Sequence, residues 1–145
     1  METIALKYNN SFASEAGTIE EHSKMLREKG YVWYGKLGTP LSKKNKETIV
    51  ANKHPKILLV NNKNREYYWA YIDKIEYQPE DDWIPEYYRA RKHDFTTWFR
   101  IVKIEQTDRE ILTECRVTSS NRPLNEAMNS MSPFFNISYE GDELQ

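Results

Sequence analysis

Three histidines and one cysteine are the rare reactive side chains of this sequence, and catalysis would need them beside a partner. His22, His54 and His93 stand far apart, none at a metal-type spacing from another His or from Cys115. Cys115 alternates with charged neighbours in Ile111-Leu112-Thr113-Glu114-Cys115-Arg116-Val117, which reads as a small residue buried in a strand rather than a nucleophile. Glu80-Asp81-Asp82 offers three carboxylates without ligand spacing, the pattern of a solvated loop face. There is no G-x-G-x-x-G, no Walker A sequence and no G-x-S-x-G. The residues therefore point away from an enzyme, and no cofactor or metal is implied.

Aromatic residues carry the stronger signal, at 13% of the chain with 4 Trp and 10 Tyr. Trp69 and Trp98 lie in the middle of strand-like runs, where core packing is expected. Trp33 stands two residues before Gly35 at a strand end, and Trp83 lies among acids and a proline in Asp82-Trp83-Ile84-Pro85. Each could edge a pocket, and Trp83 could equally be a lid over the core.

The elements that would position these rings are legible in part. Thr18-Ile19-Glu20-Glu21 reads as a capping box, and the helix it opens runs about three turns through Met25 and Leu26 to a stop at Gly30. Tyr31–Gly35 is β-branched and aromatic, hence a strand. Residues 36–56 are polar and Lys-rich, with Gly38, Pro40 and Pro55, and read as an exposed connection with one helical turn near Leu41-Ser42. Lys56–Val60, the turn residues Asn61–Asn64 and the run Glu66–Tyr77 predict a hairpin. Thr96–Glu105 is a further strand, with Ile111–Val117 expected to pair beside it. Pro123–Met128 predicts a short helix, and Phe134–Tyr139 a last strand.

At 145 residues this is one domain, 1–145, of the α+β class: a curled, mostly antiparallel sheet or small barrel with short flanking helices. No apolar run approaches the ~20 residues that span a bilayer, and no basic region followed by an apolar stretch opens the chain. With its single cysteine, the sequence is expected in the cytoplasm, away from membranes.

The net charge of -1 excludes a protein that coats nucleic acid nonspecifically, yet the charge is uneven. Lys36 to Arg65 carries eight basic residues against Glu47, whereas Glu66 to Glu86 carries seven acids against Lys74. A phosphate-binding patch would need these runs sorted onto different faces.

The order of motifs resembles the YTH and EVE branches of the PUA-like superfamily, small barrels that read modified nucleic acids. Gly30-Tyr31-Val32-Trp33 after a helix is similar to the YTH G-V-W segment, whose tryptophan walls a cage for a methylated base. Ile57–Val60 followed by Tyr68-Trp69-Ala70-Tyr71-Ile72 resembles the hairpin of that fold. Asp82-Trp83-Ile84-Pro85 stands where YTH domains place a second cage tryptophan, ahead of the strand-like Thr97-Trp98-Phe99-Arg100-Ile101. Tyr34 departs from the small residue usual there, and the stretch 36–56 is long for the family.

The resemblance implies a cage of Trp33, Trp83, Tyr34 and Tyr88 around a base flipped out of DNA or RNA. Base-edge hydrogen bonds would come from Asn10, Ser11 and Ser42, with Asn9 beside them, and phosphate contacts from Lys36, Lys43, Lys44, Arg89, Arg91 and Lys92. In bacteria such domains guide modification-dependent restriction or defence proteins, so a fused or associated effector is an expected partner. The rival expectations are a protein- or small-ligand-binding module on the same fold, and a small hydrolase of modified nucleosides, as in the related ASCH branch.

Overall fold

In the computed structural model, which describes residues 1–11 and 13–141, seven strands form one sheet flanked by short helices. The strands are β1 (Glu2–Lys7), β2 (Val32–Leu37), β3 (Lys56–Asn61), β4 (Glu66–Glu76), β5 (Phe95–Gln106), β6 (Cys115–Val117) and β7 (Phe134–Tyr139). Their spatial order is β2-β5-β4-β3-β1-β7-β6. All pairings are antiparallel except β1 with β3, so the sheet is mixed, and it ends at β2 and β6 without closing into a barrel.

β3 lies near the middle and is buried on both faces, which explains its unbroken apolar run. Ile57 and Leu59 join one core with Ile4, Leu6, Ile72 and Phe99. Leu58 and Val60 join a second core on the opposite face, with Trp69, Leu112, Cys115 and Ile137. The first is covered by helix α1 (Thr18–Lys29), through Ile19, Met25 and Leu26, and by helix α2 (Lys43–Val50), through Ile49.

Most predicted elements form, and the exceptions have local causes. α1 ends on Gly30 at φ 82, but its N-terminus is not a capping box: Gly17 holds the cap position, and the Thr18 N–H donates to Asn10 Oδ1 at 2.9 Å. The stretch 36–56 is more than a connection. Ser42 caps α2 by accepting from the Asn45 N–H at 3.1 Å, and Ile49 anchors that helix in the core. Ile111–Val117 divides into a helical turn, α3 (Ile111–Glu114), and β6, which pairs with β7 and not with β5. The turn buries Ile111 and Leu112 side by side, which a strand's alternation would not allow. Pro123–Met128 becomes the short 3-10 helix Leu124–Ala127.

Candidate nucleic-acid interface

Near the start of α1, β2 brings Tyr34, Gly35 and Lys36 alongside the end of β1 and the 3-10 segment Glu86–Asp94. Between them opens a cleft of about 270 Å³. Its walls include Tyr34, Tyr87, Tyr88, Phe95, Leu6 and Pro133, with Lys7, Lys36 and Arg91 as cations and Asn9 at the edge.

Gly35 lets these rings meet. A Cβ there would stand 2.7 Å from the Phe95 ring and 3.1 Å from Trp98, so a bare backbone allows Phe95 to lie against β2. Tyr88 packs on Phe95 with centroids 4.5 Å apart and on Tyr87 at 4.7 Å, and its hydroxyl reaches Tyr87 and the Gly35 backbone. Burial raises the Tyr34 and Tyr88 phenols well above their ordinary value, so both stay neutral near pH 7 and present hydroxyls rather than phenolates.

Behind the tyrosines lies His22, buried on α1, with ring centroids 5.0 Å from Tyr34 and 5.3 Å from Tyr88. Its Nδ1 sits 2.8 Å from the Thr18 carbonyl oxygen and must donate to it. Nε2 is then a bare acceptor, without a partner among the described residues.

The two tryptophans implied as cage walls sit elsewhere. Trp33 is 0% exposed, packed with Ile84, Tyr88 and Trp98, and its backbone N–H donates to the Trp83 carbonyl at 3.2 Å. Trp83 is half-buried as a lid on α1: its indole N–H donates to the Met25 carbonyl at 3.2 Å, and the Lys29 ammonium lies 4.3 Å from its ring centroid. Asp81 fixes this loop by accepting from the Trp83 N–H and the Tyr31 hydroxyl. Partial burial pushes its carboxyl up, but these donors, with Trp33 and Lys29 nearby, bring it below its ordinary value. Neither tryptophan lines the cleft, and the aromatic lining comes from Tyr8, Tyr34, Tyr87, Tyr88 and Phe95 instead.

The polar candidates divide similarly. Asn10 is engaged with the start of α1, Ser11 donates its N–H to Asn9 Oδ1, and Ser42 caps α2, so none lines the cleft. Lys36 and Arg91 do line it, Arg91 with its Nε donating to Asp94 Oδ2 at 3.2 Å. Lys43 and Lys44 are exposed on α2, whereas Arg89 is paired with Glu86 and Lys92 with Asp82. Tyr87 and Phe95 are two aromatic lining residues that sequence reasoning missed, as is Tyr8 just after β1. The signal for Tyr87 and Phe95 was their adjacency to Tyr88 and to the strand facing Gly35.

With this geometry in hand, comparison with known families is decisive: a family model described as Pua-like matches residues 4–138. The chain belongs to the Pua-like family. No curated protein and no solved structure is significantly similar to it. Pua-like domains typically bind nucleic acids, and the aromatic cluster of this one fits that use. Among the described residues of this Pua-like domain, no His, Cys, Asp and Glu side chains are grouped to hold a metal ion. Cys115 is buried, which pushes its thiol up to about 12, and no helix among the described residues is long and apolar enough to cross a membrane.

Proposed function

We propose that this Pua-like domain is a noncatalytic reader of nucleic acid that accepts a modified base, turned out of its stack, into the tyrosine-lined cleft. The observation that carries the reading is the convergence of Tyr34, Tyr87, Tyr88 and Phe95 beside Lys36 and Arg91. Extruding a base costs a few kcal/mol, and stacking on aromatic faces returns about 1–3 kcal/mol per base. The cations hold the flanking phosphates, which fixes register without reading sequence. Leu6, Pro133 and the rings offer apolar contact to a methyl group. Preference for a modified base, and a role in directing a restriction or defence effector to it, rest on the YTH and EVE resemblance.

The test is a fluorescence-anisotropy titration of short DNA and RNA oligonucleotides carrying N6-methyladenine, 5-methylcytosine or no modification, at two salt concentrations. Salt-sensitive binding that prefers one modified base, and is lost in Tyr34→Leu and Phe95→Ala, is the expected result. Equal affinity for every oligonucleotide, unmoved by both substitutions, would sink the reading. Product formation from a panel of modified nucleosides would replace it with a hydrolase.

A further inference from the structure

Lys36 is 5% exposed, yet among the described residues no carboxylate lies within ion-pair distance of its ammonium. The ammonium donates to the Leu37 carbonyl at 3.2 Å and the Thr39 carbonyl at 2.6 Å, and lies 4.4 Å from the centroid of the Phe134 ring. More exposed cations do find acids: Lys74 pairs with Glu80, Arg89 with Glu86 and Arg100 with Asp73. A buried ammonium without a counter-ion is unfavourable, and two carbonyls and a ring face offset that only in part. An anion arriving from outside would complete the site.

The surroundings indicate where that anion belongs. Lys36 lines the tyrosine cleft, and so does Pro133. Phe134, beneath the ammonium, lines a second cleft of about 480 Å³ bordered by Lys44, Asn45, Thr48, Thr118, Ser132 and Asn136. The side chain of Lys36 therefore stands on the divide between an aromatic cleft and a neighbouring one rich in amides and hydroxyls, with one further cation, Lys44, and one carboxylate, Glu2.

We propose that the two clefts hold consecutive nucleotides of one strand, with the phosphodiester between them seated on Lys36. The base enters the tyrosine cleft, and the adjoining nucleotide lies over Phe134 with its sugar and base edge facing the polar side chains of the second cleft. Lys44 stands at the border of that cleft, in reach of the next phosphate. The inference rests on the reading that the tyrosine cleft takes a base, and it adds the shortest ligand that fills the site, a dinucleotide.

Calorimetric titration separates the two. The ligands are a nucleoside carrying the preferred base, the dinucleotides that extend it on either side, and the same dinucleotides with an uncharged methylphosphonate linkage. One dinucleotide should bind about tenfold or more tighter than the nucleoside, as expected of a charge-assisted contact, and lose that gain with the uncharged linkage or in Lys36→Met. Lys44→Glu should weaken the dinucleotide and leave the nucleoside unchanged. Equal binding of nucleoside and both dinucleotides, or of charged and uncharged linkages, overturns the two-cleft path and leaves the base reading standing. Binding of none of these ligands overturns the base reading and the path together. The linkage comparison uses the unaltered protein, so it decides the matter even if a variant fails to fold.

Discussion

His22 shows how a single residue links the core to the candidate site. The sequence places it on a helix and on the stripe shared by Ile19, Met25 and Leu26, a spacing that points it inward. What the sequence does not reveal is the wall of tyrosines around it, because Tyr34 and Tyr88 arrive from distant segments. That burial pushes its imidazole down to about 4, against an ordinary value near 6.5, while the bond to Thr18 pulls weakly the other way. A folded-state value below the unfolded one means that the fold favours the neutral ring. The stabilisation is complete above about pH 6.5 and is lost as pH falls toward 4, by about 3 kcal/mol for a shift of this size. Urea unfolding at pH 7, 6, 5 and 4 should show this decline, and His22→Gln should flatten the part above pH 5, where carboxylates contribute little. A wild-type curve level from pH 7 to 5 would mean that the ring is not held neutral. The tryptophans teach the complementary lesson. Trp33 and Trp83 look alike in their glycine- and proline-marked settings, yet one is interior and the other a lid, because tertiary neighbours decide burial.

At the scale of elements, the cleft depends on how β2 lies against β5. Gly35 pairs with Trp98 across the two strands, and Leu37 with Phe95, past an irregularity between Lys36 and Leu37. The missing side chain at position 35 is filled by the Phe95 ring. Gly35→Ala should therefore force Phe95 out of the cleft wall, destabilise the domain by about 1–3 kcal/mol as overpacking does, and weaken ligand binding. Phe95→Leu in the same chain should recover part of the stability without recovering binding, and a double-mutant cycle in urea would measure that coupling. Additive effects would show that the two positions do not meet. Long periodic elements such as α1 and the β3–β4 hairpin were legible because pattern and turn chemistry agree. α2 was underestimated because lysines mask its single buried Ile49, and α3 because four residues are too few to display a period. β1 left no comparable signal: its hydrogen-bond partners, β3 and β7, lie more than fifty and more than a hundred and twenty residues away.

For the whole molecule, the sequence displays two charge blocks, and the pair Lys46–Glu76 joins them. Other acids of the second block pair with cations outside the first: Glu80 with Lys74, Glu86 with Arg89 and Asp73 with Arg100. The pairing of β4 with β5, not visible in local pattern, brings Asp73 to Arg100, whereas Glu86 and Arg89 are only three residues apart. The net charge is -1, and the cations bordering the two clefts are few: Lys7, whose ammonium donates to the Met128 and Ser130 carbonyls, and Lys36, Arg91 and Lys44, the three that the proposed phosphate contacts use. Each phosphate neutralised on a single strand contributes about -0.7 to the slope of log affinity against log salt, so about three contacts give a slope near -2. Affinity for a short single strand should then fall by roughly 15-fold between 50 and 200 mM salt, far less than for a protein coated in lysine. Anisotropy titrations at four salt concentrations would measure it. A slope steeper than about -5 would place phosphates across a wider surface than these clefts. A flat slope would mean that the rings and hydroxyls bind a neutral ligand or a protein, because contact with phosphate necessarily releases counter-ions.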